Sequence, residues 1–279
     1  MAKRARKLDI DKRIKEGYGV GSGQEYKPWI KIQDLGSKGR SSRFKGIKTG
    51  RQHDVLSDME RNYLNLLEYS DYVLDIKEQY PLQPLSETLS IAKELGIEHP
   101  KNRKTGEYIV MTTDFFISIK QDENLIDVAR TIKSKDDLLN RRIIEKFEIE
   151  RIYWERRGIS WAIVTEDEIN KTIAENIIFF NSYYNIDMLD SFSNIESTEV
   201  TDLVLEYIRR IIDSTETVRV VSSLFDRDMS LPKGTGISLF KHLLARKVIK
   251  IDITESINID KKVDVEISND ALSKEFKTL

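Results

Sequence analysis

Apolar positions recur along this chain in two alternating rhythms, and each change of rhythm marks an element. After Leu56, Ser57 and Glu60 stand at the S-x-x-E spacing of a capping box, and Tyr63, Leu64, Leu66 and Leu67 supply the stripe of the helix that follows. Val73 to Tyr80 reads as a strand ended by Pro81 and Pro84, and Leu85 to Leu95 as a helix closed by Gly96. Tyr108 to Ile119 and Leu125 to Lys133 read as strands around the polar turn Gln121-Asp122-Glu123-Asn124, a hairpin. A long helix over Asp137 to Arg157 turns Ile143, Ile144, Phe147, Ile149 and Tyr153 inward and stops at Gly158. Ser160 to Val164 is a short strand, and Thr165 with Glu168 forms a second capping box that opens a helix to Phe179.

Beyond Asn181 the texture changes. Thr201 to Ile212, Val218 to Phe225 and Ile237 to Arg246 have helical patterns, the last entered through a turn at Pro232, Gly234 and Gly236. Val248 to Ile253 and Val263 to Ile267 alternate as strands. Helices followed by a two-stranded ribbon are the order of a winged-helix module. The layout is thus a basic N-terminal arm over 1–50, an α/β domain over 51–180 and a winged-helix-like domain over 181–279.

Composition narrows the chemistry. The chain has 279 residues, no cysteine and three histidines (His53, His99, His242) without HExxH spacing, so disulfides and cysteine-zinc sites are excluded and a zinc hydrolase is disfavoured. The absence of cysteine fits a reducing, cytoplasmic setting, and no apolar run is long enough to span a bilayer. Any metal is then a hard cation on carboxylates. The net charge of −2 hides an asymmetry. Met1 to His53 carries about +10, whereas Trp161 to Leu279 comes to roughly −7. The basic arm, with Tyr18, Tyr26, Trp29 and Phe44 interleaved, is expected to be flexible and to meet DNA; Gly19, Gly21 and Gly23 in it lack the context of a phosphate loop.

Phosphodiester hydrolysis needs carboxylates to hold a divalent ion and an ammonium to stabilise phosphoryl charge. Asp114 is an acid in an apolar strand, between Val110-Met111 and Phe115-Phe116. With a two- or four-residue loop centred on Asp122 and Glu123, positions whose numbers sum to 245 face one another. Asp114 then meets Thr131 directly, about 5 Å away, and Lys133 diagonally, about 7–8 Å away. A three-residue loop separates them. A plain cross-strand ion pair explains Asp114 and Lys133 as well, Glu60 has a capping role, and a charged helix face explains Glu150.

Several segments taken in order resemble the TnsA endonuclease family: His53-Asp-Val-Leu-Ser-Asp-Met-Glu60, Val73-Leu-Asp-Ile76 with Glu78-Gln-Tyr-Pro81, Met111-Thr-Thr-Asp114-Phe-Phe, Thr131-Ile-Lys133, and Ile144 to Trp154 through Trp161-Ala-Ile-Val-Thr165 to Glu168-Ile169. The resemblance implies a restriction-endonuclease-like mixed sheet flanked by helices, in one subunit of a cut-and-paste transposase. It implies an Mg²⁺-dependent enzyme, with Mn²⁺ substituting, that cleaves the 5′ ends of a transposon beside a DDE partner, TnsB. An AAA+ regulator, TnsC, would contact the C-terminal part. By position it implies Glu60 and Asp114 as metal ligands with the carbonyl of Ile132, Lys133 acting on the attacking water or the phosphoryl charge, and Glu150 as a further acid. Thr131 stands where the family pattern has glutamine, which leaves a weaker ligand at that corner. A stand-alone restriction or repair nuclease and a non-enzymatic DNA-binding adaptor are the alternatives.

Overall fold

The structure is a computed structural model and describes residues 9–34, 40–189, 191–192, 195–212 and 214–268. It divides into two compact units, Met1–Ile169 and Asn170–Leu279, a division earlier in the chain than the change of texture at 180/181.

In the first unit, a sheet of four strands runs in the order β3 (Val73–Pro81), β4 (Thr112–Gln121), β5 (Asn124–Ile132) and β6 (Ser160–Val164). The first three are antiparallel and β6 joins β5 in parallel, so the sheet is mixed. The β4–β5 pairs run from Phe115↔Arg130 to Gln121↔Asn124 and all sum to 245, the register that a two-residue turn at Asp122-Glu123 dictates. Asp122 takes the positive φ of 54° that such a turn requires.

Alternation along the strands feeds two cores. Phe115, Ile117, Val128 and Ile132 pack with Leu64 and Leu67 of helix α2 (Asp58–Tyr69) on one face. Phe116 and Ala129 pack with Ile91 and Ala92 of α3 (Leu85–Glu94) and with Ile149, Tyr153 and Trp154 of α4 (Arg141–Glu155) on the other. The α/β class follows from covering both faces of one sheet.

The long helix expected over Asp137 to Arg157 is broken. A 3-10 turn at Asp136–Leu139 precedes α4, whose cap is Asn140. Its buried face is Ile149, Glu150, Tyr153 and Trp154, while Ile144 is left exposed. The box at Thr165 and Glu168 does form, through two bonds of 2.7 Å to Glu168 Oε2, but it closes a turn. The next helix, α5 (Lys171–Asn181), is capped separately by Asn170.

The basic arm is not a free tail where it is described. Residues 1–8 and 35–39 of it lie outside the described residues. Helix α1 (Ile10–Lys15) and the segment after it lead to Tyr26 and Trp29, both buried. Trp29 N donates to Gln79 O at 3.1 Å and the Tyr26 hydroxyl donates to Glu78 O at 3.0 Å, which fastens this layer to β3. Arg13 anchors its other end on Trp29 O and, at 2.6 Å, on Asp34. Aromatic rings with hydrogen-bonded backbone beneath them outweigh the solvation of the intervening lysines. A hairpin of β1 (Ser42–Lys45) and β2 (Gln52–Val55) completes the layer.

Under that hairpin lies a buried polar network. Arg51 clamps Glu78 with both terminal nitrogens, and Glu78 Oε2 accepts from His53 Nδ1 at 2.8 Å. Burial alone would raise the Glu78 carboxyl, but the hydrogen bonds from His53 and Arg51 overcome it and hold the group at about 2. Gly46 is required here: a Cβ would come within 2.6 Å of both His53 Nε2 and Thr49 Oγ1.

The second unit holds α5 with α6 (Ser197–Ile211), α7 (Val218–Asp228) and α8 (Thr235–Ala245). Asp226 accepts from Gly234 N at 2.6 Å and Gly236 N at 2.7 Å, fixing the α7–α8 turn. The two expected strands shrink to pairs of two residues, β7 (Ile249–Lys250) and β8 (Glu266–Ile267), so a full winged-helix ribbon is not formed among the described residues. Asn176 takes up the backbone that would have extended β7, bonding Ile253 O, Glu255 O and Ile257 N. No helix of the described residues is long and apolar enough to cross a membrane.

Removing the guanidinium while keeping its bulk, Arg51→Met, leaves the Glu78 charge buried beside His53 alone. We expect a loss of roughly 3–5 kcal/mol. All three tryptophans (Trp29, Trp154, Trp161) fall in the first unit, so their fluorescence through a urea titration reads this loss; an unchanged midpoint would show the network to be dispensable.

Candidate active site

The site is built where the regular sheet stops. The β3–β4 ladder pairs Glu78 with Phe115 and Tyr80 with Thr113, and skips Gln79 and Asp114 between them. The β4–β5 ladder also ends one position short of Asp114. Gln79 has a φ of 48°, the left-handed region that costs a non-glycine residue about 1–3 kcal/mol. At this step both strands turn over. Glu78 faces Arg51 and His53 while Tyr80 stacks on Phe116 in the α3–α4 core. Likewise Phe115 lies in the α2 core, while Thr113, two residues away, bonds Glu150 and Trp154 of α4.

The skipped aspartate is held by polar groups. Ile132 N donates to Asp114 Oδ2 at 2.8 Å and Gln79 Nε2 donates to Oδ1 at 3.0 Å. Thr112 Oγ1 in turn donates to Gln79 Oε1 at 2.9 Å, which fixes the amide's orientation. The direct Asp114–Thr131 pair that the register predicts is therefore replaced: the carboxylate takes the Ile132 amide, which the ladder would have given to Thr113.

Glu60 occupies the third position of α2. Ser57 Oγ donates to its Oε1 at 2.9 Å and Leu56 N to its Oε2 at 3.0 Å, while Glu60 N returns a bond to Ser57 Oγ at 3.2 Å. The capping role read from the sequence is real, yet it is only half of the residue's setting. Burial first, and then the Asp114 charge, raise the Glu60 pKa; the nearby Lys133 ammonium opposes this. Asp114 is raised by burial too, against the bonds from Ile132 and Gln79 and the Lys133 charge. Two carboxyls and one ammonium thus share one electrostatic neighbourhood. Lys133 Nζ also meets Asp137 at 3.1 Å on the partly open side.

Glu150 is not on a solvated helix face: it is 2 % exposed. Its Oε1 accepts from Thr113 Oγ1 and Thr131 Oγ1, both at 2.6 Å, and from Trp161 Nε1 at 3.0 Å. Burial raises its pKa to about 7, with the Asp114 charge adding to the rise and the three donors limiting it. Thr131 is accordingly engaged with Glu150 and, at 3.1 Å, with Trp161 Nε1.

The structure therefore brings Glu60, Asp114 and Lys133 together, sets the backbone of Ile132 against Asp114, and places Thr131 and Glu150 in an adjoining buried network. Gln79 is the site residue that sequence reading missed. Its own signal, a polar residue just before the Pro81 strand end, is shared with many turns. Among the described residues no three acidic or histidine side chains are grouped closely enough to hold a metal by themselves. The available set is two carboxylates. Each carboxylate oxygen that accepts one protein bond keeps a second acceptor position.

Two family models match the chain. One, for the TnsA-like endonuclease N terminal, covers residues 70–166; the other, for the TnsA endonuclease C terminal, covers residues 168–253. With a mixed sheet carrying paired carboxylates and a lysine, they define a DNA endonuclease. The chain belongs to the TnsA endonuclease family. It is 36 % identical over 266 residues to the transposon Tn7 transposition protein TnsA of Escherichia coli, an alignment spanning 94 % of this chain and 92 % of that protein. Asp114, Thr131, Ile132, Lys133 and Glu150 fall inside the first matched segment, and Glu60 precedes it.

Gln79→Ala should leave Asp114 with the Ile132 bond alone, lowering kcat about tenfold or more with little change in KM, since positioning and not substrate affinity is lost. An equal loss in Gln79→Glu, which keeps the length but reverses the donor, would support the bond; full activity in both would dismiss it. Glu150 yields a pH test. Its folded pKa lies above the ordinary value of 4.5, so the stability held below that value is lost as pH rises toward 7 and beyond. Glu150→Gln should flatten this decline, by about 3 kcal/mol at most. Unfolding midpoints at acidic and mildly alkaline pH decide it, and an unaltered pH slope counts against a raised pKa.

Proposed function

We propose that this enzyme is the 5′-end-cleaving subunit of a cut-and-paste transposase, hydrolysing the DNA phosphodiester at a divalent metal, Mg²⁺ by preference with Mn²⁺ as substitute. The observation that carries the reading is the Glu60–Asp114 pair, like charges raised in pKa at the end of the sheet beside Lys133. Such a pair is relieved by a cation, and an all-oxygen set of one or two carboxylates suits a hard ion that keeps several waters. Glu60, Asp114 and the Ile132 carbonyl would hold that ion. When bound, it supplies charge neutralisation at the phosphoryl oxygens and a more acidic water.

The chain's own residues do the rest. Gln79 and the Ile132 amide fix the Asp114 carboxylate before substrate arrives, so no reorganisation is needed at the moment of reaction. The Ser57 hydroxyl and the Leu56 amide do the same for Glu60. Lys133, released from its exposed pairing with Asp137, presents an ammonium to the attacking water or to a phosphoryl oxygen. Thr131 we assign to the Glu150 network, where it positions the strand end that carries Ile132 and Lys133.

The partners we assign are a DDE-type transposase, TnsB, for the opposite strand and an AAA+ regulator, TnsC, for the 170–279 unit, with the reaction in the cytoplasm. The acidic balance of roughly −7 over Trp161 to Leu279 supports a protein partner there over a phosphate backbone.

Asp114→Ala and Lys133→Ala should each lower 5′-end cleavage at least about a hundredfold in a reaction containing all partners, with far-ultraviolet circular dichroism unchanged. Wild-type cleavage by either variant would remove the assignment. Metal binding has its own readout. Because Glu60 and Asp114 must lose protons to bind a cation, Mg²⁺ or Mn²⁺ should raise Tm more as pH increases, and should not raise it in Asp114→Ala. A pH-independent shift common to both proteins would place the metal elsewhere.

A further inference from the structure

A polar cavity lies in the first unit, lined by none of Glu60, Asp114 and Glu150. Its volume is about 290 Å³ and it opens between the N-terminal layer and the β1–β2 hairpin. Lys27, Lys31 and Arg43 stand around it, with the amide side chains of Gln24, Gln33 and Gln52 between them. Its floor is rigid: Tyr26 is buried, and Arg51, also in the wall, is neutralised by Glu78. The one carboxylate in the lining, Asp54, is nine-tenths buried and already committed, accepting from Ile32 N at 3.2 Å and facing Arg43 at 3.4 Å. Among the described residues neither Lys27 nor Lys31 stands in an ion pair. Lys27 Nζ rests on the Glu16 carbonyl at 2.9 Å, and Lys31 Nζ lies 5.0 Å from the centre of the Tyr18 ring. Two ammonium groups thus rest on neutral partners beside the cavity, with the glutamine amides in its wall.

We propose that this cavity is a DNA-backbone subsite, in which Lys27 and Lys31 take phosphates of the strand that enters the active site. The proposal rests on the endonuclease reading and adds to it where the substrate is gripped. The occupant follows from the chemistry: ammonium groups and amides, with the one carboxylate of the lining turned to Ile32 N and Arg43, fit phosphate oxygens, and the volume admits a phosphodiester with its sugar but no larger folded ligand. Placement along the chain agrees. Asp54 lies in β2, which ends at Val55; about 7 Å further along the chain Leu56 offers the amide that holds Glu60, one helical turn of about 5 Å beyond. The other wall is tied by Tyr26 and Trp29 to Glu78 and Gln79, the latter being the residue that holds Asp114. At about 3.4 Å of axis per nucleotide, the cavity is a few phosphates from the scissile one.

The test is Lys27→Ala with Lys31→Ala in the full chain, binding a transposon-end duplex across a salt series. Loss of two phosphate contacts should make the slope of log affinity against log salt shallower by about 2, so that the wild-type advantage shrinks roughly tenfold between about 50 and 200 mM salt. A second double variant on another exposed surface, Lys93→Ala with Lys104→Ala, should keep the wild-type slope. A Lys27/Lys31 variant with wild-type affinity and slope overturns the proposal. So does an equal change in both double variants, or a wild-type chain that binds no duplex. None of these outcomes touches the endonuclease reading, which is judged separately by whether wild type, and not Asp114→Ala, cuts the same duplex with all partners present.

Discussion

The active site depends on one local event, the turning over of β3 and β4 at Gln79 and Asp114. In a regular ladder an aspartate between Thr113 and Phe115 would press its carboxylate into a core. The skip resolves this difficulty. It swings the carboxylate to the end of the sheet and lets it accept the Ile132 amide directly. The cost is the left-handed backbone at Gln79, and the same residue's side chain compensates by bonding Asp114. Strain of about 1–3 kcal/mol is comparable to two well-formed bonds to a charged group, so the arrangement is sustainable without help from a ligand.

The same turnover separates two buried glutamates into opposite electrostatic roles. Glu78, just before it, faces a guanidinium and an imidazole and stays ionised. Glu150 is reached by Thr113, just on the other side, and meets only neutral donors. Burial therefore dominates and lifts it toward neutral pH. One side of Asp114 is a permanently charged structural network, the other a protonatable one. The Asp114 charge acts on the second of these, adding to the rise of Glu150.

Much of this architecture is legible in the sequence. Capping boxes locate α2 and the turn at Thr165, and the turn at Asp122-Glu123 fixes the β4–β5 register residue by residue. What sequence periodicity cannot see is a partner far along the chain. Helix α4 buries Glu150 and exposes Ile144 because Thr113, Thr131 and Trp161 wait for the former, and no 3.6-residue rhythm encodes that. The N-terminal segment reads as a flexible arm because its lysines dominate the composition, whereas Tyr26 and Trp29 decide its packing on β3. The ribbon after α8 is short for a similar reason: Asn176, more than seventy residues earlier, captures the backbone that the alternation assigns to a strand.

The groups that hold the acids are neutral, and this bears on how the site can work. Gln79, the Ile132 and Leu56 amides and the Ser57 hydroxyl position Asp114 and Glu60 without bringing a charge of their own. The charged contact in reach, Lys133 with Asp137, lies on the exposed side and, like most such pairs, contributes about 0–1 kcal/mol. Charge in the site can consequently change, by loss of protons or arrival of a cation and a phosphate, while its geometry stays fixed. A centre held instead by salt bridges would have to break them for each of those events. Here the scaffold is uncharged and the charges are free to be exchanged, which is what preorganisation for a reaction that moves charge demands.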